Sequence, residues 1–152
     1  MSRALTMLVV ALALAASAPA ALMANIQVTD AWARATPGTS STAAVYFTIT
    51  NAGSAADKLI SAETEAAETA ELHETTLMGG MMHMGQSKTI DIPAGGKVTF
   101  APNGRHLMLM RLMKPLRKGD AFTVTLHFEK AGAVAAKVQV LGVAALGPQH
   151  GH

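Results

Sequence analysis

Seven of the ten methionines (Met78, Met81, Met82, Met84, Met108, Met110 and Met113) crowd into one stretch of the chain, with His83 and His106 inside it and His73 just before it. Methionine commonly fills irregular gaps in a core. That reading suits isolated residues but not Leu77-Met78-Gly79-Gly80-Met81-Met82-His83-Met84-Gly85, a glycine-rich segment expected to form an exposed hairpin loop. A loop tip is not a core, and methionine in water is open to oxidation. Thioethers in such a place point to a soft metal: thioether sulfur selects Cu(I), and imidazole serves either copper state. Calcium and magnesium ask for oxygen ligands, and structural zinc and iron–sulfur sites mostly for thiolates. The cluster offers neither set.

The elements that must position these donors are short and alternating. Residues 106–113 read as a strand with His106, Met108, Met110 and Leu112 on one face and Leu107 and Leu109 on the other. His106 and Met108 are then same-side neighbours, a chelating pair. His73 lies near the end of an earlier strand, with Leu72 on the core side, and Met84 comes from the loop between. Further strands are expected over residues 42–50 (Ala43, Val45, Phe47 and Ile49 inward), 58–64, 68–76, 90–92, 97–100, 121–129 and 134–143, separated by turn-forming stretches such as Asn51-Ala52-Gly53-Ser54 and Lys118-Gly119-Asp120. Residues 62–72, rich in Ala and Glu, are the one stretch with helical character, and their second half reads as strand. Many short strands between turns make an all-β sandwich or barrel of one domain.

The first 24 residues have the form of a cleaved secretory signal peptide: Arg3, an apolar run from Met7 to Ala16, and small residues up to Leu22-Met23-Ala24. The apolar run is shorter than the roughly 20 residues of a membrane span. The expected organisation is a leader over 1–24, a copper-binding β domain over 25–144 and a flexible tail over 145–152. Loss of Arg3 leaves 11 Lys+Arg (12 minus 1) against 10 Asp+Glu, a net charge of +1. No clustered basic face for nucleic acid is present. With no cysteine, disulfides, thiolate nucleophiles, thioredoxin-like pairs and the blue-copper site are excluded. His83, beside Met84, and the tail residues His150 and His152 are secondary metal candidates. Met110 reads as packing, His127 as surface, Trp32 as core, and Glu63, Glu65, Glu68, Glu71 and Glu74 as a solvated acidic face.

The four principal donors stand as His73, ten residues, Met84, twenty-one residues, His106, one residue, Met108. This resembles the H-x10-M-x21-H-x-M motif of the periplasmic copper chaperones, the copper(A) or PCu(A)C family. Glu71-Leu72-His73-Glu74, Ile92-Pro93-Ala94-Gly95-Gly96, His106-Leu107-Met108-Leu109-Met110, Lys114-Pro115-Leu116 and Gly119-Asp120 extend the likeness. So do Ala31-Trp32-Ala33-Arg34 and Ala43-Ala44-Val45-Tyr46-Phe47, so that it covers all but the tail. The resemblance implies a cupredoxin-like Greek-key β-sandwich or barrel, one Cu(I) bound by His73, Met84, His106 and Met108, and delivery to the copper subunit of cytochrome c oxidase or to another copper chaperone. The protein is then a Sec-exported periplasmic monomer. Periplasmic copper storage or resistance is the alternative, because it needs the same ligands. An enzyme is not expected: four donors saturate tetrahedral Cu(I), whereas catalytic metals keep an open position.

Overall fold

The computed structural model describes residues 25–148; the expected leader and the end of the tail, with His150 and His152, lie outside them. The described residues contain no helix. Ten strands follow one another: β1 (Ile26–Arg34), β2 (Thr42–Asn51), β3 (Asp57–Thr64), β4 (Ala67–Met78), β5 (Met81–Gln86), β6 (Ile90–Ile92), β7 (Lys97–Thr99), β8 (Arg105–Leu112), β9 (Ala121–Phe128) and β10 (Gly132–Leu141). The Ala- and Glu-rich stretch is resolved as two strands joined at Glu65-Ala66, with no helical turn between them.

The strands pair in the order β5-β4-β8-β2-β1-β10-β9-β3-β6, with β7 alongside β2. Only β1 and β10 run parallel; every other pair is antiparallel. Neighbours such as β2 and β8 are far apart in sequence, as Greek-key connections require. The sheet curls over on itself, so that β3, near one end of the order, also meets β4 near the other. Alternation then fills the interior with Val45, Phe47 and Ile49 of β2, Leu107 and Leu109 of β8, Val124, Leu126 and Phe128 of β9, and Val138 and Val140 of β10. The Phe47 and Phe100 rings stack inside at 4.3 Å between centroids.

Two buried polar residues tie the ends of the sheet. Asp57 accepts from the backbone N–H groups of Lys58, Lys130 and Ala131 at 2.7, 2.9 and 3.0 Å, fixing the β9–β10 turn to the start of β3. Asn51 donates from Nδ2 to the carbonyl of Ala55 and accepts at Oδ1 from Gly53 N–H. With these groups satisfied, burying them is not costly.

The segment expected as a loop is mostly strand. Gly79 and Gly80 have φ of +60° and +81°, the two consecutive positive values that a two-residue type I′ hairpin turn needs. The loop is therefore only those two glycines. Met81–Gln86 forms β5, which pairs with β4 in a six-residue register from Met78↔Met81 to His73↔Gln86. Met84 sits on an edge strand, not in a loop.

Candidate metal centre

Pairing decides which side chains meet. On β4 and β8 His73 stands directly opposite His106, and Glu71 directly opposite Met108. On β5 Met84 stands opposite Thr75, two pairs along from His73. Directly paired residues point to the same side of a sheet, as do residues two apart. His73, Met84, His106, Met108 and Glu71 therefore share one face, outside the apolar core. The opposite face of the same strands carries Leu72, Leu107 and Leu109, all buried. The core thus fixes β4 and β8 from below, and the alternation that buries three leucines also presents the polar and thioether side chains above.

The two imidazoles lie 5.5 Å apart between ring centroids, tilted at 47°. Each has one nitrogen engaged. His73 Nε2 donates to Glu71 Oε2 at 2.9 Å, and His106 Nδ1 donates to the carbonyl oxygen of Gly104 at 3.2 Å. A carbonyl or carboxylate oxygen only accepts, so those nitrogens carry the protons. The lone pairs are left on His73 Nδ1 and His106 Nε2. Both of these atoms are buried and without a hydrogen-bond partner; among the described residues only Arg105 Nε shares that condition. Two adjacent buried acceptors with nothing to accept from are costly. An ion that takes nitrogen lone pairs relieves both at once, and hydrogen bonding of the second nitrogen is how metal-ligating histidines are oriented.

His106 is buried, and burial holds its imidazole below the usual histidine range; the Gly104 hydrogen bond opposes this and the nearby His73 adds to it. A neutral ring is the form that binds metal. Exposure grades outward from there: the His73 side chain is 16% exposed, whereas Met84 is 60% exposed. Beyond Met108 the face continues through Ala44, its partner on β2, to a cavity of about 320 Å³ lined by Arg34, Thr36, Tyr46, Met108 and Val143. Tyr46 packs on Trp32 at 4.7 Å between centroids. Trp32 is buried as expected, but with Tyr46 on the outer face and not in the central core. Burial raises the Tyr46 phenol above its usual range, against a lowering from Arg34. Arg34 Nε donates to the Ala145 carbonyl at 2.7 Å.

A model of the LpqE-like family matches residues 26–140, nearly all of the described domain. The chain belongs to the LpqE-like family. A relative from Leifsonia xyli subsp. xyli, named "Putative lipoprotein Lxx21020", is 37% identical over 117 residues, which are 76% of this chain and 69% of the relative. Among solved structures, the copper-bound PCuAC domain from PmoF2 is similar at a TM-score of 0.66 and 27% identity, covering 78% of this chain and 93% of that one. The Cu(I) form of DR1885 from Deinococcus radiodurans is similar at 0.62 and 32%, covering 75% and 76%. The fold of this LpqE-like chain is the cupredoxin-like β fold of PCuAC domains.

Of the candidates read from sequence, His73, Met84, His106 and Met108 share this face. Met110 shares it too, farther along β8 and opposite Thr42 and Thr69. His83, opposite Thr76, faces the other way. His127 is half-buried and hydrogen-bonded to Glu63 at 3.0 Å. Glu71, expected on the solvated acidic face, is instead partly buried against His73; the signal that finds it is its position two residues before His73 on the same strand.

Proposed function

We propose that this LpqE-like protein binds one Cu(I) through His73 Nδ1, His106 Nε2 and the sulfurs of Met108 and Met84, and passes it to a partner copper protein in the periplasm. The observation that carries the reading is the pair of unpartnered buried imidazole nitrogens on two rings 5.5 Å apart between centroids, on the face they share with Met108. The donor types fit the ion: two thioethers favour the soft, reduced state, and neutral imidazole completes the set. The copper-bound PmoF2 domain and the Cu(I) form of DR1885, both structural neighbours, support copper as the ion. Four donors leave a tetrahedral ion no open position for a substrate, which favours carriage over catalysis.

The gradient of exposure sets a direction for exchange. Met84, on the edge strand and in water, is the ligand an incoming partner meets first. His106, buried and held by Gly104, is the one that lets go last. The preferred partner is the copper subunit of cytochrome c oxidase, with another copper chaperone as the other acceptor. The leader over residues 1–24 and the lipoprotein name of the relative support export. Lipid attached through a cysteine has no residue here to join, because the 152 residues contain no cysteine.

The test is competition and transfer. Cu(I) is titrated against a chromophoric chelator in the parent, His106→Ala and Met84→Leu, and the loaded parent is then mixed with an apo oxidase copper domain. The parent should hold one tight equivalent, His106→Ala should lose it, and Met84→Leu should lose it to the chelator faster at unchanged thermal stability. Copper moving to the oxidase domain supports delivery, and copper retained against it supports storage. Equal affinity of His106→Ala and parent sinks the site.

A further inference from the structure

The β4–β5 hairpin runs out beyond the apolar core with both faces in water: Leu77, Met78, Met81, Met82 and Met84 are between 57% and 69% exposed. Such a solvated edge is ordinarily polar or charged, because an apolar edge strand invites aggregation. There is no core gap here for methionine to fill. The register sorts the donors into two sets. Thr75↔Met84 and Leu77↔Met82 place Met82 and Met84 on the face of His73. Met78↔Met81 and Thr76↔His83 place Met78, Met81 and His83 together on the reverse face, away from the centre described above.

The spacing of that second set suits one ion. Met78 and Met81 flank the Gly79-Gly80 turn as the last pair of the hairpin, and paired residues have Cβ atoms about 4.5–5.5 Å apart. His83 follows Met81 by two residues, about 6.8 Å along the strand on the same side. Long, flexible thioether arms and an imidazole can converge from such positions on a common point. Two thioethers and one imidazole are a soft, three-donor set of the kind that selects Cu(I) over divalent ions preferring oxygen or tetragonal nitrogen.

We propose that Met78, Met81 and His83 form a second soft-metal site, on the reverse face of the hairpin, that takes one Cu(I) from solution. It binds more weakly than the His73–His106 centre, because all three side chains are exposed and must be ordered on binding, whereas the two imidazoles of that centre are already held by hydrogen bonds to Glu71 and Gly104. The set shares no residue with that centre, so each can fail without the other.

The probe is Ag(I), a soft monovalent ion that is not oxidised in air, titrated into the purified protein with methionine methyl groups and histidine rings followed by NMR. The absence of cysteine removes competing thiols. The first equivalent should move the Met84 and Met108 methyls and the next the Met78 and Met81 methyls with the His83 ring. The triple variant Met78→Leu, Met81→Leu, His83→Asn should lose the second phase and keep the first within about twofold. Since the three positions are exposed, its amide spectrum should match the parent; His83→Asn alone, which should weaken the second phase at least fivefold, serves if the triple variant is poorly folded. Met78, Met81 and His83 signals that stay still while Met84 and Met108 respond overturn the second site alone. Unmoved Met84 and Met108 signals overturn the principal centre instead.

Discussion

Replacing Glu71 with Gln changes one oxygen to an amide nitrogen and tests the proposed centre without touching a ligand. In the parent, Glu71 Oε2 accepts from His73 Nε2 at 2.9 Å, with side chains 28% and 16% exposed, so the contact is only partly screened. The carboxylate can do nothing but accept, which pins the proton to Nε2 and the lone pair to Nδ1. A glutamine amide can instead turn its NH2 toward Nε2, moving the ring proton to Nδ1 and blocking that lone pair. The charge-assisted hydrogen bond that makes Nδ1 more basic is also lost. Loss of such an outer partner costs about 10–100-fold in metal affinity, equivalent to about 1.4–2.8 kcal/mol. Competition with a Cu(I) chelator measures it, and nitrogen NMR of the apo imidazole reports the tautomer directly. Glu74→Gln is the control: Glu74 is the next acidic residue along β4, lies on the other face and pairs with Arg105 at 3.6 Å, so copper affinity should stay within about twofold of the parent at this screened contact. Parent-like affinity in Glu71→Gln, or a His73 ring protonated on Nδ1 in the parent, refutes the reasoning.

Two other outcomes follow from the same structure. Because burial lowers the His106 pKa in the folded state, the unfolded chain, near 6.5, takes the proton first; apo stability should be fully present above that pH and fall as pH drops through it toward the folded value. Thermal melts at neutral and mildly acidic pH should show a larger loss in the parent than in His106→Gln, and equal losses would remove burial of His106 as the cause. Gly80→Val places a β-branched residue at φ +81°, at a cost of at least about 1–2 kcal/mol. It should unpair β5 and speed copper loss to a chelator although no ligand has changed; unaltered β5 amide exchange would count against the role of the turn.

The strands legible in the sequence are those with one apolar face. Residues 42–50 and 121–129 alternate cleanly because each has one side on the core. His106 and Met108 could be placed together for the same reason, since Leu107 and Leu109 announce the opposite face. β5 was not legible as a strand because neither of its faces is buried. Without a core side there is no hydrophobic alternation to read, and Gly79-Gly80, which looked like part of a long loop, is the turn that makes the hairpin. The opposition of His73 and His106 depends on the register between strands 33 residues apart, which no local pattern encodes. Glu71 was missed because an acidic residue on a half-exposed strand looks the same whether it faces water or an imidazole.

The register also explains why a sheet suits a centre that must both hold an ion and release it. The ordering of strands β5-β4-β8 lays the donors across three strands of decreasing exposure. Met84 stands on a strand bonded on one side only, and His73 on the strand that hairpin joins to the body. His106 and Met108 stand on β8, which is paired on both sides and backed by Leu107 and Leu109, each fully buried. Local opening has the lowest free energy where buried contacts are fewest. The hairpin can therefore fray and take Met84 off the ion while β8 stays folded around the other donors. In the proposed site, ligand lability is a property of where each strand sits in the sheet, and it does not require the domain to change shape.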